Sequence, residues 1–166
     1  MMNTKFQGAP VQLVGNLLKE GMMAPDFELI KKDLSSLKLS SLKGKKVILN
    51  VFPSLDTGVC AASVRKFNEL ASKMTNTVVL SISKDLPFAQ GRFCTTEGID
   101  NVIPLSDFRN PEFGKEYGLL MKDGPLSGLL ARAVLVVNEE GKVSYIELVP
   151  EITQEPNYDK ALEAVK

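Results

Sequence analysis

Two cysteines, Cys60 and Cys94, stand in a 166-residue chain that contains no histidine. The first ends the stretch PSLDTGVC (53–60), behind an apolar run and ahead of a segment with helical spacing. A thiol in the opening turn of a helix meets unsatisfied backbone N–H groups and partial positive charge, both of which favour the thiolate. An ordinary thiol with a pKa of about 8.5 is only about 3% ionised at pH 7. Lowering the pKa to about 6 makes it roughly 90% ionised, a gain of about 30-fold or near 2 kcal/mol. Nucleophilicity falls as the pKa falls, so a fast thiol enzyme must stabilise its transition state too. If the electrophile is a peroxide, charge develops on the departing oxygen. Without imidazole, the donors must be a hydroxyl, backbone N–H groups or an arginine. Thr57 lies within one turn of Cys60, Pro53 can close the loop and shield the sulfur, and Arg132 opens a strand that can reach the same end of a sheet.

Each of these residues has a plainer reading. Cys60 extends the Val64, Phe67, Ala71 stripe and can be a small buried hydrophobe. Thr57 can serve only as an N-cap, a job for which Asp56 competes. An Asp56 charge close to the sulfur would oppose thiolate formation. Pro53 suits turn chemistry, and Arg132 suits a surface or an ion pair. Cys94 lies 34 residues beyond Cys60, and each follows a strand on a helix, so the two can form a bridge. A permanent structural bridge would stabilise the fold by about 3 to 4 kcal/mol in the chain-entropy model. Cytosolic disulfides, however, are usually transient and catalytic or redox-sensing. There is no C-x-x-C, which excludes a thioredoxin-style dithiol carrier.

The elements that must position these residues follow from periodicity. KKVILNVF (45–52) and TVVLSIS (77–83) read as buried strands. An amphipathic helix spans about 59–74 through Val64, Phe67, Ala71 and Met74. Residues 84–98 read as a second helix, with Asp85 as possible N-cap and Pro87 in its first turn. NVIPLSD (101–107) is a short strand or loop, and PEFGKEYG (111–118) one or two helical turns. RAVLVVN (132–138) and KVSYIELV (142–149) form a hairpin around Glu139-Glu140-Gly141. Tyr158, Ala161, Leu162 and Val165 mark a C-terminal helix opened by Pro156-Asn157. Residues 4–32 mix β-prone runs, Val11–Val14 and Phe27–Ile30, with glycine and proline, and read as hairpin and loop. The order is β-α-β-α, an irregular insert, then β-β-α. That is an α/β thioredoxin-like fold with an N-terminal β-hairpin extension and an insert between the βαβ and ββα halves. The crossover implies parallel pairing, and the fold alone assigns no activity.

Length fits a single domain over 1–166, and 44% hydrophobic residues suffice for a core. Lysine plus arginine equal aspartate plus glutamate at 20 each, so nothing points to nucleic acid or an anionic membrane. The N-terminus lacks a secretory apolar run, and no window approaches a membrane span. The expectation is a soluble, cytoplasmic protein. The missing histidine excludes Ser-His-Asp and Cys-His catalysis and imidazole zinc sites, and no Walker or G-x-G-x-x-G motif is present. Phe27, Phe88, Phe93 and Leu129 are candidates for an apolar pocket, although core packing is the commoner fate of such residues.

The residues resemble a known family. PSLDTGVC (53–60) fits the peroxiredoxin pattern of proline, three residues, threonine, two residues, cysteine. GMMAPDFEL (21–29) is similar to that superfamily's opening segment. DLPFAQGRFC (85–94) resembles the resolving-cysteine helix of one branch, the bacterial thiol peroxidases, which are atypical two-cysteine peroxiredoxins. FQGAPVQLVG (6–15) and the chain length resemble that branch as well. The resemblance implies Cys60 as peroxidatic thiolate and Cys94 as the resolving thiol that condenses with the Cys60 sulfenic acid to an intramolecular disulfide. It further implies Thr57 and Arg132 as donors to the thiolate and peroxide, Pro53 as a shield, and thioredoxin as reductant. A homodimer acting on hydroperoxides in antioxidant defence is implied, with no metal, haem or flavin cofactor. A non-catalytic redox sensor using the same disulfide switch is the alternative.

Overall fold

The computed structural model describes residues 3–166. The chain opens with the hairpin β1 (Asn3–Phe6) and β2 (Ala9–Val14), then a second antiparallel pair, β3 (Glu28–Lys31) and β4 (Ser36–Lys38), and a short 3-10 helix at Leu39–Leu42. The regular part follows as β5 (Lys46–Val51), α1 (Gly58–Ala71), β6 (Thr77–Ser83), α2 (Pro87–Glu97) and β7 (Ile103–Ser106). The insert contributes α3 (Glu112–Glu116) and β8 (Leu120–Met121). The chain closes with β9 (Ala133–Val137), β10 (Val143–Leu148) and α4 (Tyr158–Ala164).

The main sheet has the order β10-β9-β5-β6-β7-β3-β4. β5, β6 and β7 pair in parallel, as their helical crossovers require, while β9 runs antiparallel to β5 and β10 antiparallel to β9. The hairpin β1–β2 leaves this sheet and pairs with β8 in a separate three-stranded one. The expected thioredoxin-like plan is therefore present, with the hairpin extension and the insert joined to each other.

Central strands are apolar almost throughout because both faces are covered. Val47, Leu49 and Val51 point to one face, where the insert supplies Phe113, Tyr117, Leu119 and Leu130. Ile48 and Phe52 point to the other, where α1, α2 and α4 supply Val64, Phe67, Cys94 and Ala161. Phe67 is fully buried and meets Tyr158 edge-on at 5.2 Å, a burial that contributes about 2 to 3 kcal/mol. Gly118 lets the insert dock. Its φ is +67°, and a Cβ there would lie 2.4 Å from the Asn16 backbone, so no other residue fits without moving the chain.

One local expectation changes. Asp85 is not the N-cap of α2: Leu86 holds that position, Pro87 is the first helical residue, and the Asp85 side chain turns elsewhere. The strands β4 and β8 lack a sequence signal of their own, being three and two residues long. Of the four residues considered for an apolar pocket, three pack on core clusters, the commoner fate, and they do not share a site. Phe27 lies in the insert-facing core, Phe93 packs on the helix-facing core, Leu129 borders a third cluster, and Phe88 is 69% exposed.

Candidate active site

Cys60 sits in the first turn of α1, at the carboxyl end of β5, and has no exposed surface. Its neighbour in space is set by sheet register. Val51 at the end of β5 pairs with Ala133 at the start of β9, which places Arg132 at the edge of the turn that opens α1. Arg132 donates from Nη2 to the Cys60 Sγ at 3.2 Å and from Nε to the Ile152 carbonyl at 2.8 Å. The side chain is 1% exposed, and no carboxylate among the described residues pairs with it. Its Nη1 is buried and has no partner among the described residues. A buried cation with a spare donor is costly unless an electron-rich atom arrives to meet it. Here one sulfur is already met, and an oxygen is the natural second acceptor.

The other predicted residues are placed as follows. Thr57 is the N-cap of α1, but its hydroxyl caps nothing. It donates instead to the Ser54 carbonyl at 3.1 Å, and the residue is exposed. Pro53 is buried in the turn between β5 and α1. Asp56 is exposed, and its amide donates to Ser54 Oγ at 3.1 Å. Cys94 is on the buried face of α2 with Pro87 and Gln90, in the same apolar cluster as Cys60. Both cysteines are free thiols. Burial pushes the Cys94 thiol above its ordinary value, with the Lys32 charge opposing, so Cys94 stays protonated at neutrality in this conformation.

Several supporting residues escaped the sequence reading. Asn50 on β5 is fully buried and donates to Ser63 Oγ at 3.2 Å, while Ser63 donates to the Cys60 carbonyl at 2.8 Å. This chain fixes the first turn of α1 to the strand beneath it. The signal was a lone amide inside KKVILNVF, since a polar residue in a doubly covered strand must find a partner. Asp85 and Ser54 form a second support. Ser54 Oγ donates to Asp85 Oδ1 at 2.7 Å, and the Leu55 amide donates to Oδ2 at 2.7 Å.

A buried thiol facing an unpaired guanidinium, on a turn fixed from two sides, is a site for attack on an oxygen electrophile. Comparison with known proteins identifies the family. The redoxin family model matches residues 19–162. The thiol peroxidase of Corynebacterium glutamicum is 52% identical over 165 residues, which is 99% of either chain. The chain belongs to the thiol peroxidases. The Mycobacterium bovis thiol peroxidase is 50% identical over the same share of both chains. The crystal structure of a peroxiredoxin-like protein from Aquifex aeolicus superposes with a TM-score of 0.95 at 45% identity, covering 99% of this chain and 96% of that one. As a thiol peroxidase of thioredoxin-like fold, the protein is a peroxidase.

Proposed function

We propose that the protein reduces hydroperoxides, both alkyl hydroperoxides and hydrogen peroxide, through a thioredoxin-dependent two-cysteine cycle. The Cys60 thiolate attacks the terminal peroxide oxygen. The O–O bond breaks, an S–O bond forms, and the departing alkoxide or hydroxide takes a proton to leave as alcohol or water. Cys60 is left as the sulfenic acid. The Cys94 thiol then attacks that sulfur, forming an S–S bond with loss of one water. A dithiol reductant, thioredoxin, returns both residues to thiols by exchange.

The single observation that carries this reading is the Arg132 guanidinium, with Nη2 on the sulfur and Nη1 without a partner. In the proposed complex Nη1 donates to a peroxide oxygen and steadies the charge that grows on it. Thr57, at the exposed rim of the same turn, supplies a second donor once a peroxide displaces its bond to Ser54, and Pro53 limits water at the sulfur. A cytoplasmic homodimer belongs to the same proposal. Leu86 and Phe88 at the start of α2 and Phe108 after β7 are 52%, 69% and 45% exposed, at the sheet end that bears the site. Such apolar exposure suits a second copy of the chain.

The test is peroxide consumption coupled to thioredoxin and its reductase. Wild type should turn over and Cys60→Ser should not. Cys94→Ser should consume one peroxide per chain and then stall. Equal turnover by wild type and Cys60→Ser would remove Cys60 from the chemistry. A wild type that is oxidised once and not recycled by any dithiol would favour a redox sensor.

A further inference from the structure

Asp85 lies between β6 and α2, the helix that carries Cys94, yet its carboxylate binds the turn that leads to Cys60. It accepts Ser54 Oγ at 2.7 Å and the Leu55 amide at 2.7 Å from that turn, and Ser83 Oγ at 2.8 Å from the end of β6. Ser83 Oγ in turn accepts Gln90 Nε2 at 3.2 Å, and the same Nε2 donates to the Leu105 carbonyl at 2.8 Å. The root of α2 is thereby fixed to β6 and β7 as well as to the Cys60 turn. Elsewhere between that turn and α2 the surface is an open cleft lined by Leu55, Asp56, Ala89 and Phe93 together with Asp85. Arg65 and Glu97 join α1 to the last turn of α2 at 2.6 Å, but that pair is partly exposed and far along both helices.

Ser54, the residue Asp85 holds, also fixes Thr57, because its carbonyl accepts both the Thr57 amide at 3.2 Å and the Thr57 hydroxyl at 3.1 Å. The Thr57 carbonyl then accepts the Ala61 amide at 3.0 Å, the bond that closes the first turn of α1. One carboxylate therefore anchors the turn from which the first turn of α1 grows. In the proposed cycle Cys60 leaves Arg132 to bond to Cys94, a movement that a held turn resists.

We propose that Asp85 is a positioning residue that latches the Cys60 turn to the root of the Cys94 helix, holding the peroxide-reactive conformation closed until the sulfenic acid has formed. This rests on the reading of Cys94 as the resolving thiol. Disulfide formation from Cys60–SOH and Cys94–SH, with release of water, proceeds from the minor opened state, so its rate scales with that state's population. Losing a charge-assisted hydrogen bond shifts such an equilibrium by about tenfold.

The test uses the full-length reduced protein, rapidly mixed with one equivalent of an alkyl hydroperoxide, quenched and weighed by intact mass. Asp85→Ala should convert sulfenic acid to disulfide about tenfold faster than wild type and form less sulfinic acid in excess peroxide. Ser54→Ala, which removes one of the bonds and spares the carboxylate, should give a smaller change of the same sign should Asp85→Ala fold poorly. Asp85→Asn keeps an acceptor for the Leu55 amide and should return the rate toward wild type. Val143→Ala, a core truncation at the opposite end of the sheet, should leave the step unchanged, which separates a latch from general loosening. A slower or unaltered disulfide step in both Asp85→Ala and Ser54→Ala, with wild type forming its bridge normally, overturns the latch alone. A wild type that forms no internal bridge overturns the resolving-thiol reading and the latch with it.

Discussion

Arg132 and Cys60 are 72 positions apart in sequence and meet at 3.2 Å, guanidinium Nη2 to sulfur, because the antiparallel register of β9 on β5 ends where α1 begins. The arginine is held from behind by the Ile152 carbonyl, so its orientation does not depend on the sulfur. A lysine can carry the charge but not this two-sided geometry. Arg132→Lys should lower the rate of Cys60 oxidation by about 100-fold, the usual effect of removing one transition-state donor. Single-turnover oxidation by stopped flow measures it directly. A loss below about threefold would mean that Arg132 is structural and that the unpartnered Nη1 has no catalytic use.

Beyond its root, the Cys94 helix α2 buries little apolar surface. Its buried face consists of Pro87, Gln90 and Cys94, one of them polar, and Gly91 sits in its middle. Few buried apolar contacts mark a segment of low local stability. A Cβ at Gly91 would meet only the Lys32 side chain, at an ordinary 3.7 Å, so alanine fits. Gly91→Ala should stabilise α2 by about 1 kcal/mol and slow disulfide formation by about fivefold. Sulfinic over-oxidation should rise in step, because the sulfenic acid lives longer. Unchanged over-oxidation in a peroxide titration would show that α2 does not open during the cycle.

Cys94 gives a pH signature. Burial raises its thiol above the ordinary 9.0, with Lys32 acting the other way. The folded protein holds this proton more tightly than the unfolded chain does. Its contribution to stability is therefore complete below the unfolded value and is lost as pH rises through the folded one. Reduced Cys94→Ser should show a flatter fall in denaturant midpoint than wild type as pH rises above about 9. Tyr145, raised from 10.0 to about 12 by burial, is present in both proteins, so its own loss cancels in the comparison. Parallel curves for wild type and variant would place Cys94 in water.

The order of elements was legible because each main-sheet strand in the regular half carries its own apolar run and each crossover its own turn. TVVLSIS became β6 at its expected limits. What could not be read was contact between distant segments. Asp85 precedes a proline at a helix start, which is the local signature of a cap, and only the folded chain shows that Ser54 and Leu55 lie within its reach. The same holds for Asn50 and Ser63. Thr57 and Arg132 were named from the chemistry that a thiol without histidine requires. The fold sets Arg132 on the sulfur and turns the Thr57 hydroxyl toward Ser54.

Glu151 ties the N-terminal hairpin to the end of the chain's last strand pair. Its carboxylate accepts the Thr153 amide at 3.1 Å and, across the hairpin turn, the amides of Gly8 at 2.8 Å and Gln7 at 3.1 Å. These bonds, that of Thr153 foremost, lower its pKa from 4.5 to about 2. A carboxylate so depressed contributes stability that is fully present above its unfolded value and is lost as pH falls through the folded one. Glu151→Gln should melt below wild type at neutral pH, and the difference should shrink below pH 4.5 and vanish near pH 2. The hairpin turn itself needs these acceptors, because Gln7 holds a φ of 52° and its amide has no strand partner. Melting curves across the acid range settle the point: a difference that persists unchanged near pH 2 would show that the amides bind the side chain for its shape and not for its charge.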